Sequence, residues 1–205
     1  MKPAEDRLYP SDNAFEIPSL LTDRQPDTGL LLPCGGWGQE RRDKKNVMTW
    51  HFYVDDYRFE NIWLNPDTLI STHCREAVEP NFSVYDTTPV SFGLQQIYKK
   101  RWIARYWQER GLRIYADLNV SAKFYDYNRL GIPEGYNAFA TRGYTDRLEY
   151  LKMEIDIARH ISGCDHPNMI VYGGGEAVHD ICLQTSIIYL PEFKPNIRRK
   201  EAADG

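Results

Sequence analysis

Short apolar runs typical of β-strands alternate along this chain with segments that carry a helical pattern. The predicted strands cover residues 49–54, 77–79, 112–119, 136–141, 169–172 and 187–190. Two long helices are predicted: one runs from Pro89 to about Arg110, the other from Asp146 to Ser162. Strands that alternate with helices in this way predict a mostly parallel sheet with right-handed crossovers.

The expected number of strands is compatible with two related architectures of the α/β class. About six strands are expected, which fits either an open parallel sheet or a reduced, distorted (β/α) barrel. A complete eight-stranded barrel usually needs about 250 residues, and this chain has 205. Both architectures therefore stay open at this point.

The chain is predicted to form one domain with two irregular ends. Residues 1–46 are rich in Pro and Gly and are expected to wrap over the body as an arm, with a short strand at residues 30–32. Residues 47–193 form the α/β domain. The charged segment 194–205 is expected to be a flexible tail.

Charge and hydropathy limit the cellular setting. The net charge of −4 gives no overall attraction to nucleic acid, so such binding would need a local basic patch. No apolar run of about 18 residues is present, so no membrane span is predicted. The first residues lack the apolar core of a signal peptide, which favours the cytoplasm, and the four Cys are then expected to be free thiols.

Several segments together resemble one protein family. They are HFYVDDYRFENIWLNP (51–66), EPNFSVYD (79–86), IYKKRWIARYWQERGLRI (97–114), GIPEGYNAFATRG (131–143) and MIVYGGG (169–175). In order and spacing they resemble the family catalogued as domain of unknown function 4417, over roughly residues 47–193. The resemblance implies a phage or mobile-element setting, hence the host cytoplasm, and brings no established activity.

One position departs from the family pattern. The family usually has Pro-Asp-Phe-Ser where this chain has Pro80-Asn81-Phe82-Ser83. If that carboxylate is catalytic in relatives, Asn81 either removes catalysis here or transfers the role to Glu79.

Polar side chains follow the predicted strands at the edge where parallel folds form their sites. The candidate catalytic carboxylates are Asp55, Asp56, Glu79 and Asp117, and the candidate substrate-binding residues are Asn81, Arg101, Asn119 and Arg142. Paired carboxylates can divide acid and base roles or hold Mg²⁺. The alternative is that Asp55 or Asp56 caps a helix and that Asn119 is a turn former.

A basic, aromatic segment offers a second candidate surface. It contains Lys99, Lys100, Arg101, Arg105, Arg110 and Arg113, interleaved with Tyr98, Trp102, Tyr106 and Trp107. Such a segment can bind nucleic acid, or it can be a helix with solvated cations and buried Trp side chains. A third alternative is that Arg101 turns inward and pairs with Asp55 or Asp56.

Metal and phosphate motifs are weak in this chain. Cys164-x-His166 and His179-x-x-Cys182 contain zinc ligands without the usual spacing, so no metal ligands are assigned. The glycines at 173–175 can expose backbone N–H groups to a phosphate or simply reverse the chain.

The sequence leaves the function, and catalysis itself, open. One hypothesis is an enzyme that acts on a nucleotide, nucleobase or sugar at the strand ends. The alternative is a non-catalytic factor that binds nucleic acid or a host protein in phage replication or host takeover. A third alternative is a structural or oligomerising role, which only the high aromatic content favours, and the oligomeric state stays open.

Overall fold

Parallel strands and intervening helices make up the computed structural model, which describes residues 7–27, 29–39 and 46–192. The strands are β1 (Cys34–Gly36), β2 (Thr49–His51), β3 (Glu76–Val78), β4 (Arg113–Asp117), β5 (Phe139–Arg142), β6 (Met169–Tyr172) and β7 (Ile188–Leu190). The α-helices are α1 (Asp67–Ile70), α2 (Val90–Gln108), α3 (Tyr125–Asn128), α4 (Leu148–Ser162) and α5 (Gly175–Thr185). Short 3-10 helices occupy Thr22–Arg24, Asp56–Arg58, Glu60–Trp63 and Ala122–Phe124.

The strands form one parallel sheet in sequential order, from β1 to β7. The sheet is curled into a half-barrel, because the ring of His51 at the end of β2 lies 4.3 Å from that of Tyr172 at the end of β6. Three strands lie between these two in the sheet. Within the described residues β1 and β7 do not pair with each other. The predicted α/β class with a mostly parallel sheet is confirmed, and of the two architectures the sheet adopts the reduced barrel.

The core lies on both faces of this curled sheet. On the outer face Phe52, just after β2, stacks on Trp107 of α2 at 5.7 Å. On the inner face the side chains of neighbouring strands contact one another. For example, the Thr49 hydroxyl of β2 donates a hydrogen bond to the carboxylate of Glu76, its partner residue on β3. Burying rings of this size provides much of the stabilisation of such a domain.

Among the elements absent from the sequence prediction are the strand β1 and the helix α5. The strand β1 lies in the predicted N-terminal arm, where residues 30–32 were the expected strand, so the sheet has seven strands and not six. Its sequence, Cys-Gly-Gly, has little β-propensity, and the backbone pairing with β2 decides its conformation. The helix α5 begins directly after Gly174, whose φ of 89° no other residue type adopts easily. The predicted tail, 194–205, lies outside the described residues.

Candidate functional site

An open cleft of about 890 Å³ lies at the carboxyl ends of β2 to β5. Five of the residues predicted from the sequence line it: Asp55, Asp56, Asn81, Asn119 and Arg142. Four of them come from the three loops that follow β2, β3 and β4, and Arg142 is the last residue of β5. Parallel pairing brings these strand ends to one edge of the sheet, as the sequence pattern predicted.

The Asp117 carboxylate, at the end of β4, organises the floor of the cleft. It is fully buried and accepts hydrogen bonds from the Lys100 ammonium at 2.9 Å, the Asn81 amide at 2.9 Å and the Tyr53 hydroxyl at 3.0 Å. The Asn119 side-chain amide in turn donates to Asn81 Oδ1 at 3.2 Å. Both amides and the phenol therefore have fixed positions.

This arrangement explains why asparagine suits position 81. The Asn81 amide donates to Asp117 and also to the backbone carbonyl of Asn119 at 2.8 Å. An ionised aspartate has no donor to offer either group, and it would bring a second negative charge against Asp117.

A second buried ion pair, between Arg101 and Glu79, is linked to the ion pair between Lys100 and Asp117. Arg101 donates to Glu79 at 2.7 Å and to the backbone carbonyl of Asn128 at 2.8 Å. The other Glu79 oxygen accepts from the backbone N–H of Asp117 at 2.9 Å, which links the two pairs. Burial raises the pKa of Glu79, while Arg101 and Lys100 oppose that shift.

Three predicted site residues therefore lie beneath the cleft and not in it. Glu79, Asp117 and Arg101 are each fully buried, and their hydrogen bonds are made to protein groups, while Arg101 Nε has no hydrogen-bond partner. The idea that Arg101 turns inward is confirmed. The proposed partners of Arg101, Asp55 and Asp56, are wrong, because its guanidinium pairs with Glu79. Through these contacts the three residues position the groups that do line the cleft.

The two consecutive aspartates have different surroundings. Asp56 accepts hydrogen bonds from the backbone N–H and the hydroxyl of Ser83, at 3.0 and 2.9 Å, and so attaches the loop after β3 to the loop after β2. Asp55 is exposed, and its carboxylate lies 3.5 Å from Arg58. Its side chain makes no capping hydrogen bond to the following helix, so the capping alternative does not apply to Asp55.

Inside the half-barrel, Arg142 lies close to a buried histidine. The guanidinium forms an ion pair with Glu192 at 3.3 Å and lines the cleft. His51, whose ring packs on Tyr172, is almost completely buried, and its Nδ1 accepts from the backbone N–H of Tyr53. Burial, together with the charge of Arg142, lowers the pKa of His51 to about 3, so this imidazole is neutral.

Sequence reasoning missed a buried carboxyl group on α4. Glu154 accepts a hydrogen bond from the Thr141 hydroxyl at 2.6 Å, and burial raises its pKa well above the usual range. A signal was present, because position 154 lies three residues after Leu151 and four before Ala158, within the apolar stripe of the helix. Tyr53 was missed as well, since it sits in a run that reads as an ordinary strand, and Lys100 was assigned to the basic surface and not to this site.

The Glu154→Gln variant should be more stable than the wild type at neutral pH. The folded state holds a proton on Glu154 that the unfolded chain releases near pH 4.5, so wild-type stability falls as the pH rises through the raised folded pKa. Glutamine does not titrate. The free energy of unfolding of the variant should therefore exceed that of the wild type by an amount that grows by about 1.4 kcal/mol per pH unit above 4.5, until the folded carboxyl ionises. Urea unfolding between pH 4 and 8 measures this, and Glu149→Gln on the same helix controls for the change in charge. A difference that is constant with pH would contradict the prediction.

Comparison with known proteins identifies the family. The profile of the family described as domain of unknown function DUF4417 matches residues 9–187. The chain belongs to this family.

Similar members are encoded by mycobacteriophages. A Gene 1 protein of Mycobacterium phage D29 is 30% identical over 133 residues, which are 62% of this chain and 48% of that protein. A Gene 1 protein of Mycobacterium phage L5 is 33% identical over 111 residues, 52% of this chain and 47% of that protein. The chain thus spans about half the length of these relatives. No solved structure matches it significantly.

In this DUF4417 domain the basic residues of α2 have internal partners. Lys100 and Arg101 are buried in the two ion pairs, and Arg105 bonds to Glu109 at 2.8 Å and to the carbonyl of Ser19 at 2.6 Å. Next to α2 in the sequence, Arg113 forms an ion pair with Asp27 at 2.8 Å. The expected inward packing of Trp102 and Trp107 is confirmed. The expectation of solvated cations is wrong for Lys100, Arg101 and Arg105, because the sheet and the N-terminal segment supply acceptors.

The described residues contain no group of three or more His, Cys, Asp and Glu side chains arranged to hold a metal ion. The two halves of the Cys/His motif have other contacts: Cys164 lies near the carbonyl of His166, and His179 packs on the ring of Tyr189. Among the described helices none has both the length and the apolar character needed to cross a bilayer.

Proposed function

We propose that the cleft is the active site of an enzyme that acts on a nucleotide, a nucleobase or a sugar. The observation that supports this most directly is the buried charged network under the cleft floor. Removing ions from water costs several kcal/mol each, and well-packed apolar residues would stabilise a core at least as well. Here the Lys100–Asp117 pair holds Tyr53 and Asn81 in place, which is what a preorganised site requires.

The cleft residues have complementary chemistry. Asn81 and Asn119 offer amide donors and acceptors to hydroxyl groups or a base edge. Arg142 offers a guanidinium to an anionic group such as a phosphate. Asp55 and Asp86 are exposed carboxylates that line the cleft. Asp55, which lies 3.5 Å from Arg58, has the role of proton donor or acceptor, while Asp56 positions the loop through Ser83. The volume of about 890 Å³ is within the usual range for small-molecule sites.

A nucleic-acid or host-protein surface on α2 has less support. Its cations point into the protein at Lys100, Arg101 and Arg105, and Arg110 lies 3.2 Å from Asp67. A phosphate backbone would have to compete for each of these cations with the carboxylate that already pairs with it, which is Asp117, Glu79, Glu109 or Asp67.

Incubation with the four ribonucleoside monophosphates and with ribose 5-phosphate tests the proposal. Chromatography should detect conversion of at least one of these compounds, with and without added Mg²⁺, and calorimetry should detect its binding. Asp55→Asn should lower the rate by about 10²-fold or more while binding persists, because it removes only the proton-transfer group. Arg142→Gln should instead weaken binding about tenfold, the effect of losing a charge-assisted hydrogen bond.

Asp180→Asn, which changes an exposed carboxylate on α5, is the matched control and should retain the wild-type rate. If the wild-type protein binds none of these compounds, the proposal fails. If Asp55→Asn keeps the full rate, the catalytic role of Asp55 fails while the binding site stands.

A further inference from the structure

Exposed aromatic side chains are concentrated at the cleft. Tyr57, Tyr85 and Phe92 are 68, 66 and 49% exposed, and all three line it. Among the described residues the other exposed aromatic side chains are Phe15, at 50%, and Tyr150, at 39%. Three exposed rings around one concave site form a set of faces on which a planar ligand can stack.

Two polar atoms near these rings have no partner within the protein. Gln96 Oε1 and Ser121 Oγ are buried atoms without a hydrogen bond, and both residues line the same cleft. Phe92 and Gln96 lie one turn apart on α2, so they share a face of the helix. Ser121 precedes the 3-10 helix Ala122–Phe124, yet its hydroxyl makes no capping bond. An unpaired buried polar group destabilises a protein unless some partner satisfies it.

Two guanidinium groups also line the cleft and can bind an anion. Arg142 and Arg147 line it as well, and Arg147 is one of its more exposed side chains. Rings for stacking, polar groups for an edge and guanidinium groups for an anion are together the chemistry that recognises a nucleotide. A sugar phosphate would use the amides and the arginines but would leave the rings without a planar partner.

We infer that the part of the cleft bounded by Phe92, Tyr85 and Tyr57 is a nucleobase subsite, and that Gln96 and Ser121 hydrogen-bond the edge of the base. This inference rests on the proposed function and narrows its substrate class to nucleotides. The Gln96 Oε1 and Ser121 Oγ atoms lie beneath the cleft surface, so binding includes a rotation of each side chain toward the base. Single-bond rotations of this kind lead to other staggered rotamers at small cost.

Calorimetric titration with AMP, GMP, CMP, UMP and ribose 5-phosphate separates base recognition from phosphate recognition. At least one nucleotide should bind about 5- to 150-fold more tightly than ribose 5-phosphate, the range that stacking of one base gives. Phe92→Ala should remove most of that difference and leave the affinity for ribose 5-phosphate unchanged. Gln96→Leu should change the order of affinity among the four nucleotides.

Phe15→Ala is the matched control, because Phe15 is as exposed as Phe92 but lies outside the cleft. Equal affinities for the nucleotides and ribose 5-phosphate would overturn the subsite and leave the proposed function standing. An equal loss for all five compounds in Phe92→Ala would also overturn it, since Phe92 would then act through the fold. Absence of any binding to the wild type would overturn both proposals.

Discussion

The Arg101→Met variant should unfold with a free energy about 3–5 kcal/mol lower than that of the wild type. The substitution removes the guanidinium that donates to Glu79 and to the Asn128 carbonyl, and it leaves a buried carboxyl without its cation. Burial already raises the pKa of Glu79, so this carboxyl will respond by holding a proton more firmly. Urea unfolding at pH 7 measures the loss.

Two further variants show whether the effect belongs to the ion pair. The double variant Glu79→Gln/Arg101→Met should recover part of the stability, because it removes both buried charges together. Lys152→Met breaks an exposed ion pair with Glu149, 2.8 Å long, and should cost at most about 1 kcal/mol. A loss below 1 kcal/mol in Arg101→Met would show that the pair does not support the fold.

Acid should destabilise this domain through His51. The unfolded chain takes up a proton at His51 near pH 6.5, whereas the folded protein does so only near pH 3. Between these values the unfolded state binds the extra proton, so the free energy of unfolding falls by about 1.4 kcal/mol for each unit by which the pH drops. The contribution of the neutral His51 to the free energy of unfolding is complete above pH 6.5 and is lost as the pH falls from 6.5 toward 3.

The variant His51→Asn isolates this contribution, since asparagine retains an acceptor for the backbone N–H of Tyr53 and does not titrate. Unfolding by urea at several pH values from 3.5 to 7.5 gives both profiles. Between pH 3.5 and 6.5 the wild-type curve should be steeper than that of the variant by about 1.4 kcal/mol per unit, whatever the carboxylates contribute to both, and above pH 6.5 the two curves should run parallel. Parallel curves below pH 6.5 as well would show that the folded state accommodates the imidazolium.

The accuracy of the sequence prediction differed between secondary structure and site. Residues 169–172 were predicted as a strand and are β6, and the helix predicted at 146–162 is α4, Leu148–Ser162, which is followed by Gly163 with its φ of 65°. Local periodicity is enough for such elements. The Cys-Gly-Gly strand β1 could not be found this way, because its conformation comes from pairing with β2.

The candidate site shows the same division. The positions of Asp55, Asn81 and Asn119 after successive strands followed from the rule that parallel strands end at one edge. Sequence order also identified Glu79, Asp117 and Arg101 as candidates, but it placed them in contact with substrate. Burial distinguishes these two groups, and burial depends on the packing of α2 against the sheet.

The sequence by itself determined the α/β class, the parallel pairing of the strands and the edge of the sheet where polar residues gather, because these follow from local patterns and chain connectivity. Only the tertiary structure decided which charges are solvated. Lys100 and Arg101 lie in a segment that reads as a basic surface, and they became interior groups because Asp117 and Glu79, distant in the chain, supply the carboxylates that a buried cation requires.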